Sequence, residues 1–313
     1  MSDSAWREQK FARALVWVVP ALWSVNYIIA RMAPGVIGPH LLALGRWTIA
    51  AVVLVVLARS ELWQQRAQLA RDWWQYLVLG TLGMLICGAW VYQSARTTSA
   101  TNVALIYAAA PVLIAVGASL WLHEGMALRQ KLGVLLALAG VMQVVVKGHW
   151  ASLAQLQFVP GDLWMVAATV SWAAFALLQK VWPCSLSATA RLAAICIGGV
   201  LTLLPFAAWE LTQPGLSVWG RRAVVLMVVA ALVPGLGAYW IYGWAQRVLG
   251  ASRVAVALYL GPLYGGLAAW AILGEAPGWH HLGGAALILP GVFLETSGGR
   301  PAPPVRPPPP VRS

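Results

Sequence analysis

The sequence predicts an all-α integral membrane protein of ten transmembrane helices, built as two inverted five-helix repeats. Three observations carry this: a composition too apolar for a water-facing surface, ten apolar runs of spanning length, and a set of landmarks that recurs at one offset. Of 313 residues, 60% are apolar and 10% charged, with a mean hydropathy of +0.74. A soluble domain carries about 25% charged residues, so this composition excludes a soluble enzyme. The 19 tryptophans suit the aromatic belts at membrane–water interfaces. Three cysteines, Cys87, Cys184 and Cys196, lack metal or redox spacing, so neither a disulfide framework nor a zinc site is expected.

A membrane helix needs about 20 mostly apolar residues. Ten candidate runs are present, several of them short or interrupted by Gly or Pro: 14–32, 40–58, 74–93, 100–121, 132–148, 162–181, 190–209, 223–244, 254–273 and 282–296. The opening segment, 1–13, carries Arg7, Lys10 and Arg13. It resembles the start of a signal peptide, but no small-x-small cleavage site follows, so the first run is read as a retained span. The expected organisation is therefore a cytoplasmic segment 1–13, a first repeat over 14–148, an outer linker 149–161, a second repeat over 162–296 and a tail 297–313. With the N-terminus inside, the segments on that side hold fifteen of the 21 Lys and Arg and the outer segments five. Basic residues accumulate on the cytoplasmic side, so both termini are expected there, in the cell (inner) membrane. The net charge of +12 is thus a topology signal, with no nucleic-acid partner implied. The tail, SGGRPAPPVRPPPPVRS, is too rich in proline to build a core and is expected to be disordered or polyproline-like.

The repeat is visible in the residues. Ala100 and Ala104, Pro111, Glu124, Gly133 and Gly140 recur 151 positions later as Ala251 and Ala255, Pro262, Glu275, Gly284 and Gly291. Trp23, Arg31 and Pro34 match Trp172, Lys180 and Pro183 at an offset of 149. Five spans per unit is an odd number, so the second unit crosses in the opposite sense. Inverted repeats place a solute site near the midplane, where the repeats meet.

These features together resemble the drug/metabolite transporter superfamily, and within it the ten-span EamA type, over about residues 14–296. The resemblance implies a secondary transporter that works by alternating access, and exporters of amino acids and other metabolites are among its members. It also implies helix-ending acids at Glu124 and Glu275, for which a structural role in orienting the turn is favoured over gating.

Candidate functional residues follow from depth and chemistry. Charges within a membrane are costly and mark function by default; the one clear case is Arg46, in span 2. It admits two readings, a carboxylate-binding or gating residue, or an arginine satisfied by helix-end carbonyls near the outer surface. The nine acidic residues all fall at span ends or in loops, so no buried carboxylate is visible to relay protons or meet a cation. Trp23 and Asn26 share a face of span 1, one turn apart, and Trp172 and Phe175 repeat that spacing in span 6. With Trp90, Tyr107, Tyr239 and Tyr259 at comparable depth, they form the candidate lining of a central solute cavity, an aromatic pocket with a few placed polar groups. Pro111 and Pro262 each remove a backbone donor in mid-span, and read equally as flex points or fixed bends. The Gly261-to-Gly265 spacing permits close helix approach, within one chain or in a homo-oligomer.

The leading functional expectation is export of a neutral or zwitterionic amino acid or similar solute. The alternatives are a cation-exporting multidrug transporter of the same superfamily and a membrane enzyme acting on a lipid-like substrate. No ATP-binding loop, HExxH helix or Ser/His/Asp set is present, so no enzyme activity, cofactor or metal is expected, and the partners are a small solute and membrane lipids.

Overall fold

Apolar sequence of this kind leaves the backbone no choice but to satisfy its own hydrogen bonds, and helices do so within one segment. The computed structural model describes residues 3–94, 96–98, 106–123, 126–155, 159–182, 184–213, 220–273 and 278–297. Among them there is no strand. Among the described residues, eight helical spans are long and apolar enough to cross a membrane, and two shorter apolar helices, Ala110–Trp121 and Trp279–Leu294, complete ten.

Span 1 comprises Asp3–Val16 and Val18–Met32, interrupted at Trp17. Helix therefore begins well before the apolar run, carrying Arg7, Lys10 and Arg13. Span 2 is Pro39–Gln64, with proline in its first turn, where the missing N–H costs nothing. Span 3 runs from Trp73 to Ser94 through a π-helical stretch, Thr81–Ile86. Span 5 is Leu128–Val145, span 6 Pro160–Val181 and span 7 Ala188–Leu211. Span 8 runs from Arg221 to Leu249 through a second π-helical stretch, Ala231–Gly237. The two π stretches begin 150 positions apart, at matched places in the two repeats. In span 8 the cause is local: Pro234 has no N–H to give.

Spans 4 and 9 are both discontinuous. Residues 108–109 interrupt span 4 ahead of Ala110–Trp121. Span 9 passes from Ala251–Ala255 through a 3-10 segment, Val256–Leu260, into Gly261–Leu273. Pro111 and Pro262 thus each occupy the first turn of an α-helix, rather than kinking one in its middle. The expected loss of a mid-helix hydrogen bond does not arise, because first-turn donors have no partner within the helix. Glu124, Glu275 and the tail beyond Ser297 lie outside the described residues.

The glycine landmarks of the repeat meet each other. Spans 5 and 10 pack so closely that a Cβ on Gly140 would lie 2.8 Å from the Gly284 carbonyl oxygen, and one on Gly284 2.9 Å from that of Gly140. A Cβ on Gly291 would lie 2.6 Å from the Gly133 oxygen. Backbone therefore rests on backbone along this line, as small residues allow in membranes. Spans 2 and 7 form a second, antiparallel seam between the repeats.

Candidate functional site

Where spans 1, 2, 6 and 8 meet, six rings close on one another. Trp23 and Trp172, the equivalent residues of the two repeats, stand edge to face with centroids 5.3 Å apart. Tyr239 contacts Trp23 at 5.9 Å, Trp47 at 4.8 Å and Trp172 at 5.5 Å. Tyr242 lies 5.3 Å from both tryptophans of the pair, and Phe175 stacks on Trp172 at 5.3 Å. Offset and edge-on contacts of this kind follow the ring quadrupoles. The π stretch of span 3 is tied in by two donors: Tyr239 Oη to the Gly83 carbonyl (3.1 Å) and Ser171 Oγ to that of Leu82 (2.8 Å).

Arg46 sits beside this cluster and is 3% exposed. Its guanidinium lies over the Trp47 ring at 4.5 Å and near that of Tyr239 at 5.8 Å. Nη1 donates to Asn26 Oδ1 at 3.2 Å, and the same oxygen accepts from Tyr92 Oη at 2.5 Å. One amide oxygen thus gathers donors from spans 2 and 3 onto span 1. Arg46 is not held by helix-end carbonyls at the outer surface, so that reading of the sequence falls. The π stretch of span 8 leaves it room: a Cβ on Gly235 would lie 3.3 Å from Arg46 Nε.

The cluster is rich in donors and short of acceptors. Among the described residues, Arg46 Nε, Trp47 Nε1, Trp172 Nε1 and Tyr242 Oη are all buried with no hydrogen-bond partner. Buried donors in a native protein are rarely left so.

Several expected lining residues lie elsewhere. In place of an open cavity the rings fill the centre themselves, and the cleft that reaches Tyr239 between Gln179, Arg191 and Arg247 measures about 10 Å³. Trp90 is partly buried at the edge of the core and meets Trp164 at 4.9 Å; two residues along the helix is about 200° of rotation, and it is Tyr92 that reaches Asn26. Tyr259 is buried in a separate apolar cluster with Val141 and Ile288 of spans 5 and 10, because the 3-10 segment of span 9 faces that seam. Tyr107 is half-buried at the head of span 4. Trp47 and Tyr92 were not among the residues the sequence singled out; adjacency to Arg46 and to Trp90 were the available signals.

Two of the acidic residues at span ends prove to be buried. Asp162 caps span 6 through the Val159 N–H (2.8 Å) and accepts from Thr98 Oγ1. Glu210 is 3% exposed; it accepts from the Leu41 N–H at 2.8 Å and lies 3.3 Å from His40 Nδ1. Among the described residues no group of three or more His, Cys, Asp or Glu is placed to hold a metal, and the three cysteines are free.

Ten spans in two inverted repeats, with spans 4 and 9 broken and a polar–aromatic centre where the repeats meet, define a membrane transporter. The chain belongs to the EamA-like transporter family, whose model matches residues 11–146 and again 159–296. It is 27% identical over 275 residues to the uncharacterized transporter YyaM of Bacillus subtilis, covering 86% of this chain and 88% of that one. A probable terminal-alkyne amino-acid exporter of Streptantibioticus cattleyicolor is 27% identical over 281 residues, covering 90% and 91%. A solved crystal structure shares the fold with a TM-score of 0.74 at 18% identity, over 91% of this chain and 97% of that one.

Proposed function

We propose that the protein exports a small carboxylate-bearing metabolite, first among them a neutral, zwitterionic amino acid with an apolar body, by alternating access across the inner membrane with both termini in the cytoplasm. The observation that carries this reading is the donor-rich centre. The Arg46 Nε–H, two indole N–H groups and a phenol of one ring cluster are buried without a hydrogen-bond partner among the described residues, and a carboxylate is the common solute group that brings acceptors and a compensating charge. The rings offer an apolar surface to the rest of the solute. A permanent cation is disfavoured here, since it would meet the Arg46 guanidinium and, among the described residues, no carboxylate in the cluster. Desolvating an ion costs several kcal/mol, and aromatic faces return only about 0.5–2 kcal/mol each. Export, rather than uptake, is supported by the printed name of the Streptantibioticus relative.

The test is transport in proteoliposomes over a panel of amino acids and a quaternary-ammonium dye. Apolar neutral amino acids are expected to move and the dye to be refused, and Arg46→Leu is expected to abolish amino-acid transport. Robust transport of the dye with no response to any amino acid would overturn the reading.

A further inference from the structure

The seam between spans 2 and 7 is fastened at both ends by the same device. In the last turn of span 2, Glu61 accepts from the Ser187 N–H (2.5 Å) and from Ser187 Oγ (2.6 Å), where Ser187 is the N-cap of span 7. In the last turn of span 7, Glu210 accepts from the Leu41 N–H in the first turn of span 2. Glu61 and Glu210 are 149 positions apart, and so are the N-caps Gly38 and Ser187, the offset that relates Trp23 to Trp172. Each acid thus sits on the unsatisfied N–H groups that open the other repeat's helix, where a negative charge is favoured. A side chain at Gly38 would displace the acid: a Cβ there would lie 2.3 Å from Glu210 Cδ. Twenty residues of helix separate Leu41 from Glu61, about 30 Å at 1.5 Å per residue, which is the thickness of the hydrocarbon core.

From this geometry we propose that Glu61 and Glu210 are the paired gate residues of the transport cycle, each closing one end of the path between the repeats. The proposal rests on the alternating-access reading above. Both clasps are made in this structure, and the ring cluster between them is closed, which is the arrangement of an occluded carrier. Opening one end requires parting span 2 from span 7 there, and each clasp is a direct tie between the two repeats. The ends are not chemically equal. Glu210 is buried with His40, whose ring stacks on Phe206 at 5.6 Å. Glu61 is half-exposed, and Arg247 steadies its partner loop by donating to the Leu186 carbonyl at 2.9 Å. Water competes for the Glu61 contacts and not for those of Glu210, so the Glu61 end opens more readily. Both acids act by positioning helices and do not touch the solute.

The reporters are one cysteine at each end. Cys184, half-buried three residues before Ser187, reads the Glu61 end. Ile37→Cys, at a site 4% exposed, reads the Glu210 end in a chain whose native cysteines are replaced by alanine. In full-length protein in liposomes, Glu61→Gln is expected to speed alkylation of Cys184 by a permeant maleimide about tenfold, the factor given by losing one charge-assisted hydrogen bond, and to leave the Ile37→Cys reporter unchanged. Glu210→Gln is expected to do the reverse. Should Glu210→Gln fail to fold, Gly38→Ala displaces the same carboxylate and reads the same end. Equal acceleration of both reporters by either substitution, or acceleration of neither, overturns the proposal. The underlying reading fails separately: if no amino acid shifts the two reporters in opposite senses in a chain with both acids intact, alternating access falls, whatever the glutamine variants do.

Discussion

Replacing Asn26 by leucine removes the one acceptor shared by Arg46 and Tyr92. Leucine is of similar size, so the perturbation is chemical. Interhelical polar contacts in membranes are worth about 0.6 kcal/mol on average and up to about 1.7 kcal/mol. Two of them end on the same oxygen, and one involves a charge that would cost about 2.5–3.5 kcal/mol at a helix centre facing lipid. Ring contacts with Trp47 and Tyr239 survive the change and retain part of the charge's stabilisation. The expected loss is about 2 kcal/mol, roughly 30-fold in the unfolding equilibrium. It is measured by reversible unfolding in mixed micelles for Asn26→Leu, Arg46→Leu and the double variant. Without Arg46 there is no charge to strand, so the double variant is expected to lose clearly less than the two single losses together. Additive losses, or a cost for Asn26→Leu below about 0.5 kcal/mol, which is less than one average contact, would refute the coupling. Transport should fall with Asn26→Leu as well, since the guanidinium loses the group that orients it.

Other expectations follow from packing and position. Gly140→Ala should destabilise by about 1–2 kcal/mol in thermal unfolding, although alanine favours helix by up to about 1 kcal/mol, because its Cβ would meet backbone atoms that cannot swing aside; a gain in stability would show that the seam is loose. Trp172→Ala, at a site 1% exposed, should cost about 3–5 kcal/mol and abolish transport, whereas Trp279→Phe, at a site 86% exposed, should leave both unchanged; equal losses in the two variants would argue against a central role for the ring cluster. Cys184 should resist an impermeant thiol reagent applied to intact cells, and ready labelling from outside would reverse the proposed orientation.

Equivalence between repeats was legible in the sequence, and so was the convergence of Trp23 and Trp172 on the centre; the contact between the glycine landmarks was not. The offset pairs Trp23 with Trp172 and Gly133 and Gly140 with Gly284 and Gly291, because duplication preserves spacing. That the two glycine sets pack against each other depends on how the two units are apposed, which spacing does not encode. Faces within a short helix are equally hidden: Trp90 and Tyr92 are both aromatic and equally deep, and only the neighbouring helices decide that Tyr92 meets Asn26. Glu61 and Glu210 read as ordinary acids at helix ends, since a sequence shows where a helix stops but not whose first turn lies beside it. The π stretch of span 3 left no proline to mark it, and its freed carbonyls are met by Ser171 and Tyr239 from distant spans.

The glycine line between spans 5 and 10 has a mechanical meaning. Interlocked side chains resist sliding, because ridges must climb out of grooves. Where backbone lies on backbone, as at Gly140 against Gly284, there are few ridges to climb, yet drawing the helices apart would forfeit every contact at once. Such a surface behaves as a bearing, stiff to separation and compliant to rotation. A rocking motion of one half of the molecule against the other would find its axle here, on a seam where, among the described residues, no clasp of the kind formed by Glu61 and Glu210 is made.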